Sequence, residues 1–278
     1  MRFELKKGDK LMNLVNCQVS PTDHKKRRTN ALDAGEQMLK SVQTFDFSKV
    51  NNISAINEVP RSPQMAYMYR KVQFGAVGTV EKCGCACFTS YYILQQYSQS
   101  RISFEEWVKE IANKGYRFWR FSKYPDITFS DSYVDPVNVK ERFEGKVELS
   151  GKESREELEN ILGEVEGVGS SAFLFDNLIA DLGKVEAVQE TRLTTVEQVI
   201  ENLKNGFWVP MRVNNALYHG DKKRSGGHYI TLIGVSKGTA FVWDSTQGAF
   251  NLPFEILMKA AVEDSKLIGV WDLKSLKS

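Results

Sequence analysis

The sequence predicts an α+β fold in which a helical first half leads into a mostly antiparallel sheet. Apolar residues dominate residues 84–98 and recur at helical spacing in residues 102–115, whereas the last third contains short runs rich in β-branched and aromatic residues. The two kinds of segment follow one another instead of alternating, which is the pattern of an α+β domain. We therefore expect the last third to form the sheet.

The two best-defined helices lie next to each other in the first half of the chain. Residues 84–98 are apolar on nearly every side, which is typical of a central, buried helix. Residues 102–115 carry clear boundary signals: Ser103 is a predicted N-cap, Glu106 completes a capping box, and Gly115 ends the helix.

Two later segments also carry helix signals. Residues 154–165 have an acidic and an apolar face. Residues 194–206 begin with Thr194 and Glu197 as a predicted cap pair and end at Gly206.

The strand signals are concentrated after residue 206. Short apolar runs predict strands at 207–213, 228–235, 239–245 and 266–273, with a short helix at 252–261 between the last two. Lys237 and Gly238 form a predicted tight connection between the middle pair of strands.

The amino-acid composition changes at about residue 59 and divides the chain into two parts. Residues 1–58 are polar and mixed, and we predict that they form an N-terminal extension of unknown role. Residues 59–278 contain the aromatic, glycine-rich and apolar segments of a folded domain. The basic cluster Lys25–Arg28 has no interleaved aromatics, so it favours a solvated face over a nucleic-acid patch.

The overall charge and hydropathy exclude several classes of partner. A net charge of +2 gives no general electrostatic reason to bind nucleic acid or an anionic membrane. No apolar run approaches the roughly 18 residues needed to cross a bilayer, and no secretory signal is visible. Four cysteines in 278 residues do not make a disulfide scaffold. We therefore expect a reduced, cytoplasmic protein.

Three of the four cysteines, at positions 83, 85 and 87, alternate at the start of the central helix. Cys83 precedes Gly84 and the predicted helix, whose first turn would stabilise a thiolate. Such a thiolate can attack a carbonyl when an imidazole lies beside it. The alternating spacing fits a structural zinc site poorly, which leaves Cys85 and Cys87 as small buried residues.

His228 is the best candidate for that imidazole. It follows two glycines and opens an apolar strand, which suits a general base but also a structural histidine. Asp244 ends the partner strand of the predicted hairpin, where its carboxylate could orient the ring. Asp244 could equally cap its own turn. His219 lies in a polar loop.

These segments together resemble a known family. The stretch KCGCACFTSYYIL resembles the nucleophile segment of the bacteriocin-leader (double-glycine) peptidases and their stand-alone papain-like relatives, with Cys83 on the catalytic cysteine. The stretch GGHYITLIGV followed by FVWDST resembles their base and orienting segment, with His228 and Asp244 on those positions. Gln64 falls on the family's oxyanion-hole glutamine, for which Gln73 is a possible substitute.

The sequence also departs from the family pattern. Cys85 replaces the usual proline after the glycine, and Tyr69 replaces a tryptophan. The match covers about residues 60–115 and 194–275, and the segment 116–192 matches nothing in the family.

The resemblance implies a papain-like cysteine peptidase domain at 59–278, with the nucleophile on a central helix packed on an antiparallel sheet. It implies a Cys-His-Asp triad with a Gln oxyanion hole, a peptide or protein substrate, and no metal or cofactor. Residues 115–126 and 219–227 would flank the cleft, and the basic residues of the latter would favour an acidic substrate or simply be solvated. The alternatives are a papain-like acyltransferase, a peptidoglycan amidase and an inactive binding module.

Overall fold

The computed structural model describes residues 21–50, 53–54, 68–97, 102–170, 193–224 and 226–263. Its helices are α1 (Pro21–Thr44), α2 (Val80–Cys83), α3 (Cys85–Tyr97), α4 (Phe104–Asn113), α5 (Pro136–Arg142), α6 (Arg155–Leu162), α7 (Val196–Lys204), α8 (Asn215–His219) and α9 (Phe254–Glu263). Its strands are β1 (Ile53–Ser54), β2 (Arg117–Phe121), β3 (Thr128–Phe129), β4 (Val165–Ser170), β5 (Val209–Asn214), β6 (Gly227–Ser236), β7 (Thr239–Asp244) and β8 (Gly248–Pro253). The protein is thus a mixed α+β chain with antiparallel sheets, as predicted.

The main sheet is built around the long strand β6. Strand β7 pairs with one edge of β6 and is followed by β8, while β5 and β1 pair with the other edge, all antiparallel. Helix α3 packs on β6. Its Tyr92 ring stacks on Trp243 of β7 at a centroid distance of 3.9 Å and on Trp208 at 4.8 Å. The central helix is therefore fixed to the sheet by buried aromatic contacts.

The helix boundaries mostly follow the capping signals. Ser103 accepts a hydrogen bond from the Glu106 backbone and completes the predicted capping box of α4. Helix α7, however, is capped by Thr195 with Gln198 and not by Thr194 with Glu197. Both pairs have the correct spacing, but Glu197 accepts a hydrogen bond from Ser41 at 3.2 Å, so its carboxylate is used elsewhere.

Strand β8 of the main sheet is not predicted by the sequence. Its last two residues fall in the predicted helix at 252–261, which begins at Phe254 in the structure. Its alternation of buried and exposed residues is brief, and it contains Asn251 and Pro253, which are rare in strands. The predicted strand at 266–273 lies outside the described residues.

A second, smaller sheet with strand order β3-β2-β4 forms within the segment that matched no pattern. Trp119, Phe121, Phe129 and Phe143 form its aromatic core together with α5 and α6. Arg117, only 2% exposed, connects this sheet to the chain before α2. Its Nη1 donates to the Gly169 carbonyl at 3.1 Å and its Nη2 to the Val77 carbonyl at 3.2 Å.

The predicted N-terminal extension contains the long helix α1, which spans the basic cluster Lys25–Arg28. The described side chains of Met38 and Val42 are buried in the main core, so this part of residues 1–58 packs against the rest of the protein. None of the helices in the described ranges is long and apolar enough to cross a membrane.

Candidate active site

The central helix begins immediately after Gly84. The Gly84 N–H donates to the Val80 carbonyl at 2.7 Å, which closes α2, and the Gly84 carbonyl accepts from Phe88 at 2.9 Å, which opens α3. A Cβ on Gly84 would overlap the Val80 carbonyl oxygen, so the close succession of the two helices requires glycine. Cys85 is consequently the first residue of α3.

This geometry favours Cys85 over Cys83 as the candidate nucleophile. Cys83 is the last residue of α2, while Cys85 occupies the first turn of α3, where unpaired N–H groups favour a thiolate. His228 hydrogen-bonds with the Cys85 thiol. Cys87 is fully buried, as predicted, whereas Cys85, also predicted to be buried, is only half-buried because it lies at the start of α3. The sequence prediction started the helix at Gly84 itself, which moved the candidate by two residues.

His228 and Asp244 meet across the β6–β7 hairpin. The His228 Nε2 and the Asp244 Oδ2 are 2.9 Å apart, and Asp244 is fully buried. The other oxygen of Asp244 accepts hydrogen bonds from the Thr246 N–H at 2.7 Å and the Thr246 hydroxyl at 2.6 Å. Asp244 thus both caps its own turn and holds the imidazole, so the two sequence interpretations are both correct descriptions of its contacts.

The thiol and the imidazole are aligned by neighbouring backbone groups. Because the His228 Nε2 is bonded to Asp244, the ring's Nδ1 is the nitrogen left to face Cys85. Backbone groups of Ala86 and Tyr229 also hydrogen-bond with the Cys85 sulfur. One helical turn later, the Thr89 hydroxyl donates to the Tyr229 carbonyl at 3.1 Å, which fixes the register of α3 against β6.

The electrostatics of the three groups are coupled. Burial alone would raise the pKa of Cys85, but the hydrogen bond and the charge of His228, together with backbone hydrogen bonds from Tyr229 and Ala86, outweigh it, and the pKa of the thiol is lowered. Burial alone would lower the pKa of His228, but the hydrogen bonds with Asp244 and Cys85 and the negative charges of these two groups raise that pKa to about 10. The pKa of Asp244 is lowered despite burial because its carboxylate accepts from His228 and Thr246. Both shifts favour a thiolate beside an imidazolium over the neutral thiol–imidazole pair.

The two candidates for the oxyanion-hole glutamine are Gln64 and Gln73. Gln64 lies outside the described residues. Its possible substitute, Gln73, is exposed and donates from its side-chain amide to the Gly75 carbonyl of its own loop at 3.0 Å. The Cys85 backbone N–H, at the start of α3, is a donor with no acceptor inside the helix and remains available for an oxyanion.

The structure places His219 beside the site, whereas the sequence indicates only that it belongs to a polar loop flanking the cleft. His219 is the last residue of α8, and its ring centroid lies 6.2 Å from that of His228. Its Nδ1 lies 2.9 Å from the side-chain amide nitrogen of Gln247. Helix α8 is one turn long and its pattern is too short to be recognised in a sequence, which is why the residue was assigned to a loop.

Cys85, His228 and Asp244 form a continuous chain of hydrogen bonds from a half-buried thiol to a buried carboxylate. Within the described ranges, no three Cys, His, Asp or Glu side chains are grouped so as to hold a metal. Comparisons with protein-family models, curated proteins and solved structures gave no match. A function can therefore be proposed only from the chemistry of these side chains.

Proposed function

We propose that the protein is a cysteine-dependent amide hydrolase, most specifically a papain-like peptidase, with Cys85 as its nucleophile. The single observation that carries the proposal is the thiol–imidazole–carboxylate chain of Cys85, His228 and Asp244. A structural histidine does not need a low-pKa thiol on one nitrogen and a buried carboxylate on the other. Functional sites are where such mutually perturbed pKa values concentrate.

In the first half of the reaction, the Cys85 thiolate attacks the carbonyl carbon of a substrate amide and a C–S bond forms. The negative charge moves to the carbonyl oxygen, which the Cys85 backbone N–H and the first turn of α3 can stabilise. The imidazolium of His228 then gives its proton to the departing nitrogen, and the C–N bond breaks. A free amine leaves and a thioester on Cys85 remains.

In the second half, neutral His228 removes a proton from a water molecule, which attacks the thioester carbonyl. The C–S bond breaks, the acyl group leaves as a carboxylic acid, and the thiolate–imidazolium pair is restored. Asp244 remains ionised throughout, because it is held by His228 and by the turn at Thr246. Its role is to keep the ring oriented with Nδ1 toward the sulfur.

The papain-like part of the proposal is supported by the position of the nucleophile. A helix that carries the thiol in its first turn packs on an antiparallel sheet, and the base lies at the start of the strand beneath it. This arrangement is the one that the resemblance implied, although the cysteine in question is Cys85 and not Cys83.

The matched pair Cys85→Ser and Cys83→Ser tests the proposal. Cleavage of an internally quenched peptide library is followed by fluorescence, and the products are identified by mass spectrometry. We expect Cys85→Ser to lower the rate by at least about 10³-fold, as nucleophile removal does in hydrolases, and Cys83→Ser to keep the wild-type rate. Loss of activity in Cys83→Ser alone would contradict the assignment. A wild-type protein that cleaves nothing and has an ordinary Cys85 thiol would favour the binding module.

A further inference from the structure

A cleft of about 620 Å³ opens beside the His228–Asp244 pair, within the size range of ligand sites. It is lined by His219, Asp221, Arg224, Thr246, Gln247 and Phe250. Thr246 donates to Asp244, and the rings of His219 and His228 are 6.2 Å apart, so the cleft adjoins the His228–Asp244 pair.

Arg224 supplies the cleft with a cation whose terminal nitrogens lie outside its ion pair. Its Nε approaches the Asp221 carboxylate at 3.8 Å, and both side chains are about half exposed. Within the described part of the chain, the two terminal nitrogens of the guanidinium have no hydrogen-bond partner. The other oxygen of Asp221 accepts from the Lys223 N–H at 3.0 Å, which holds this carboxylate against its own turn. A planar guanidinium with two free nitrogens matches the geometry of a carboxylate.

The other lining groups support the same ligand. Gln247 engages the Nδ1 of His219, so the Nε2 of that ring is its remaining donor. Phe250 supplies an apolar surface for methylene groups. Residues 221–224 carry three cationic side chains and one acidic side chain, which gives this loop a net positive charge.

We propose that this cleft is the substrate's carboxylate subsite, with Arg224 as the main specificity-determining residue. The protein then acts on peptides that carry an acidic group a short distance from the reacting amide. The inference rests on the proposed function for its biological meaning. Recognition of the carboxylate itself needs only the Cys85 thiolate and the cleft.

Bromoacetylated peptides test the subsite without requiring amide hydrolysis. The Cys85 thiolate displaces bromide to form a thioether, and the second-order rate is measured by mass spectrometry. Three reagents are compared, each with zero to three glycine spacers after the bromoacetyl group. The first ends in Glu-amide and carries a side-chain carboxylate, the second ends in Gln-amide and carries none, and the third ends in Gln with a free carboxyl terminus. The third reagent distinguishes a terminal carboxylate from a side-chain carboxylate.

At one or more spacer lengths, we expect a carboxylate reagent to react about 3- to 10-fold faster than the Gln-amide reagent. This ratio corresponds to the free energy of a partly exposed, bidentate ion pair. Arg224→Gln should bring this ratio close to one. Lys223→Gln removes the same charge from the same loop but not from the cleft lining, and it should preserve most of the preference.

Equal rates for all reagents, or a preference that survives Arg224→Gln, would overturn the subsite, as would a Cys85 that no reagent alkylates. The outcomes also separate the two proposals. A carboxylate preference without any peptide cleavage would retain the subsite and refute the peptidase. Cleavage without the preference would retain the peptidase and refute the subsite.

Discussion

The substitution Asp244→Asn should lower the pKa of His228, so that the ring loses its proton at a much lower pH than in the wild type. Asparagine preserves the size of the side chain, and its one oxygen can still accept hydrogen bonds from the turn at Thr246. The substitution therefore removes the negative charge and the oxygen that accepts from His228. In the wild-type protein, the hydrogen bonds with Asp244 and Cys85 hold the pKa of His228 at about 10 in spite of burial. The imidazolium of His228 should therefore persist through neutral pH in the wild type.

The size of the effect follows from the 2.9 Å separation of the His228 Nε2 and the Asp244 Oδ2. At an effective dielectric constant of about 20, two unit charges at this distance attract by about 6 kcal/mol. At 1.36 kcal/mol per pKa unit, loss of the carboxylate should lower the pKa of His228 by about 4 units, to around 6.

The raised pKa of His228 also determines how the folding stability changes with pH. Because the pKa of His228 is higher in the folded protein than its ordinary value of 6.5, its protonation stabilises the fold fully below pH 6.5. That stabilisation is lost as the pH rises toward 10. In Asp244→Asn, little of it should remain to be lost, so the free energy of unfolding should depend less on pH across this range.

Carbon–proton NMR spectra of ring-labelled histidine give the titration directly, since the chain has only three histidines. Asp221→Asn is the matched control, because it removes a half-exposed carboxylate beside Arg224 and should shift the pKa of His228 by less than about 0.5 units. A wild-type His228 that titrates near 6.5 would refute the reasoning. So would an Asp244→Asn protein whose His228 titrates within one unit of the wild type.

Three further substitutions test how the site is held. Thr89→Val removes the hydrogen bond to the Tyr229 carbonyl. The free energy of unfolding from urea denaturation should fall by about 1–2 kcal/mol, and iodoacetamide should alkylate Cys85 more slowly. In the wild type the Trp107 indole N–H donates to the Ser90 hydroxyl at 2.9 Å, and Ser90→Ala leaves that N–H without a partner. The free energy of unfolding should fall by about 1–3 kcal/mol, with unchanged alkylation of Cys85. Gly84→Ala should lower the stability by about 1–3 kcal/mol and slow alkylation; unchanged values in both measurements would contradict the close succession of α2 and α3.

The sheet and the base–carboxylate pair were accessible to sequence reasoning because both depend on local patterns. Strands β6 and β7 are long, apolar and joined by a tight turn, so their pairing brings the end of one beside the start of the other. The contact between His228 and Asp244 follows from that register. The capping box of α4 was similarly readable, because Ser103 and Glu106 satisfy each other within one turn.

The identity of the thiol was not accessible in the same way. Whether a helix begins at residue 84 or 85 depends on how the chain before it packs, here on the closure of α2 at Gly84. The difference of two residues between Cys83 and Cys85 places the sulfur on different sides of the helix start. The cleft is only partly predictable, because the sequence indicates that residues 219–227 flank it, whereas the contact of His219 with Gln247 forms only when α8 folds back onto the β7–β8 turn.

The most direct test of the central claim is the pH dependence of iodoacetamide labelling at each cysteine of the same molecule, read by peptide mapping. Cys83 serves as the internal reference for Cys85. We expect Cys85 to be labelled rapidly well below pH 8 and faster than Cys83, and this advantage to be lost in His228→Ala. Equal labelling of the two cysteines, or labelling of Cys85 with an inflection near the ordinary thiol pKa of about 8.5, would contradict the assignment.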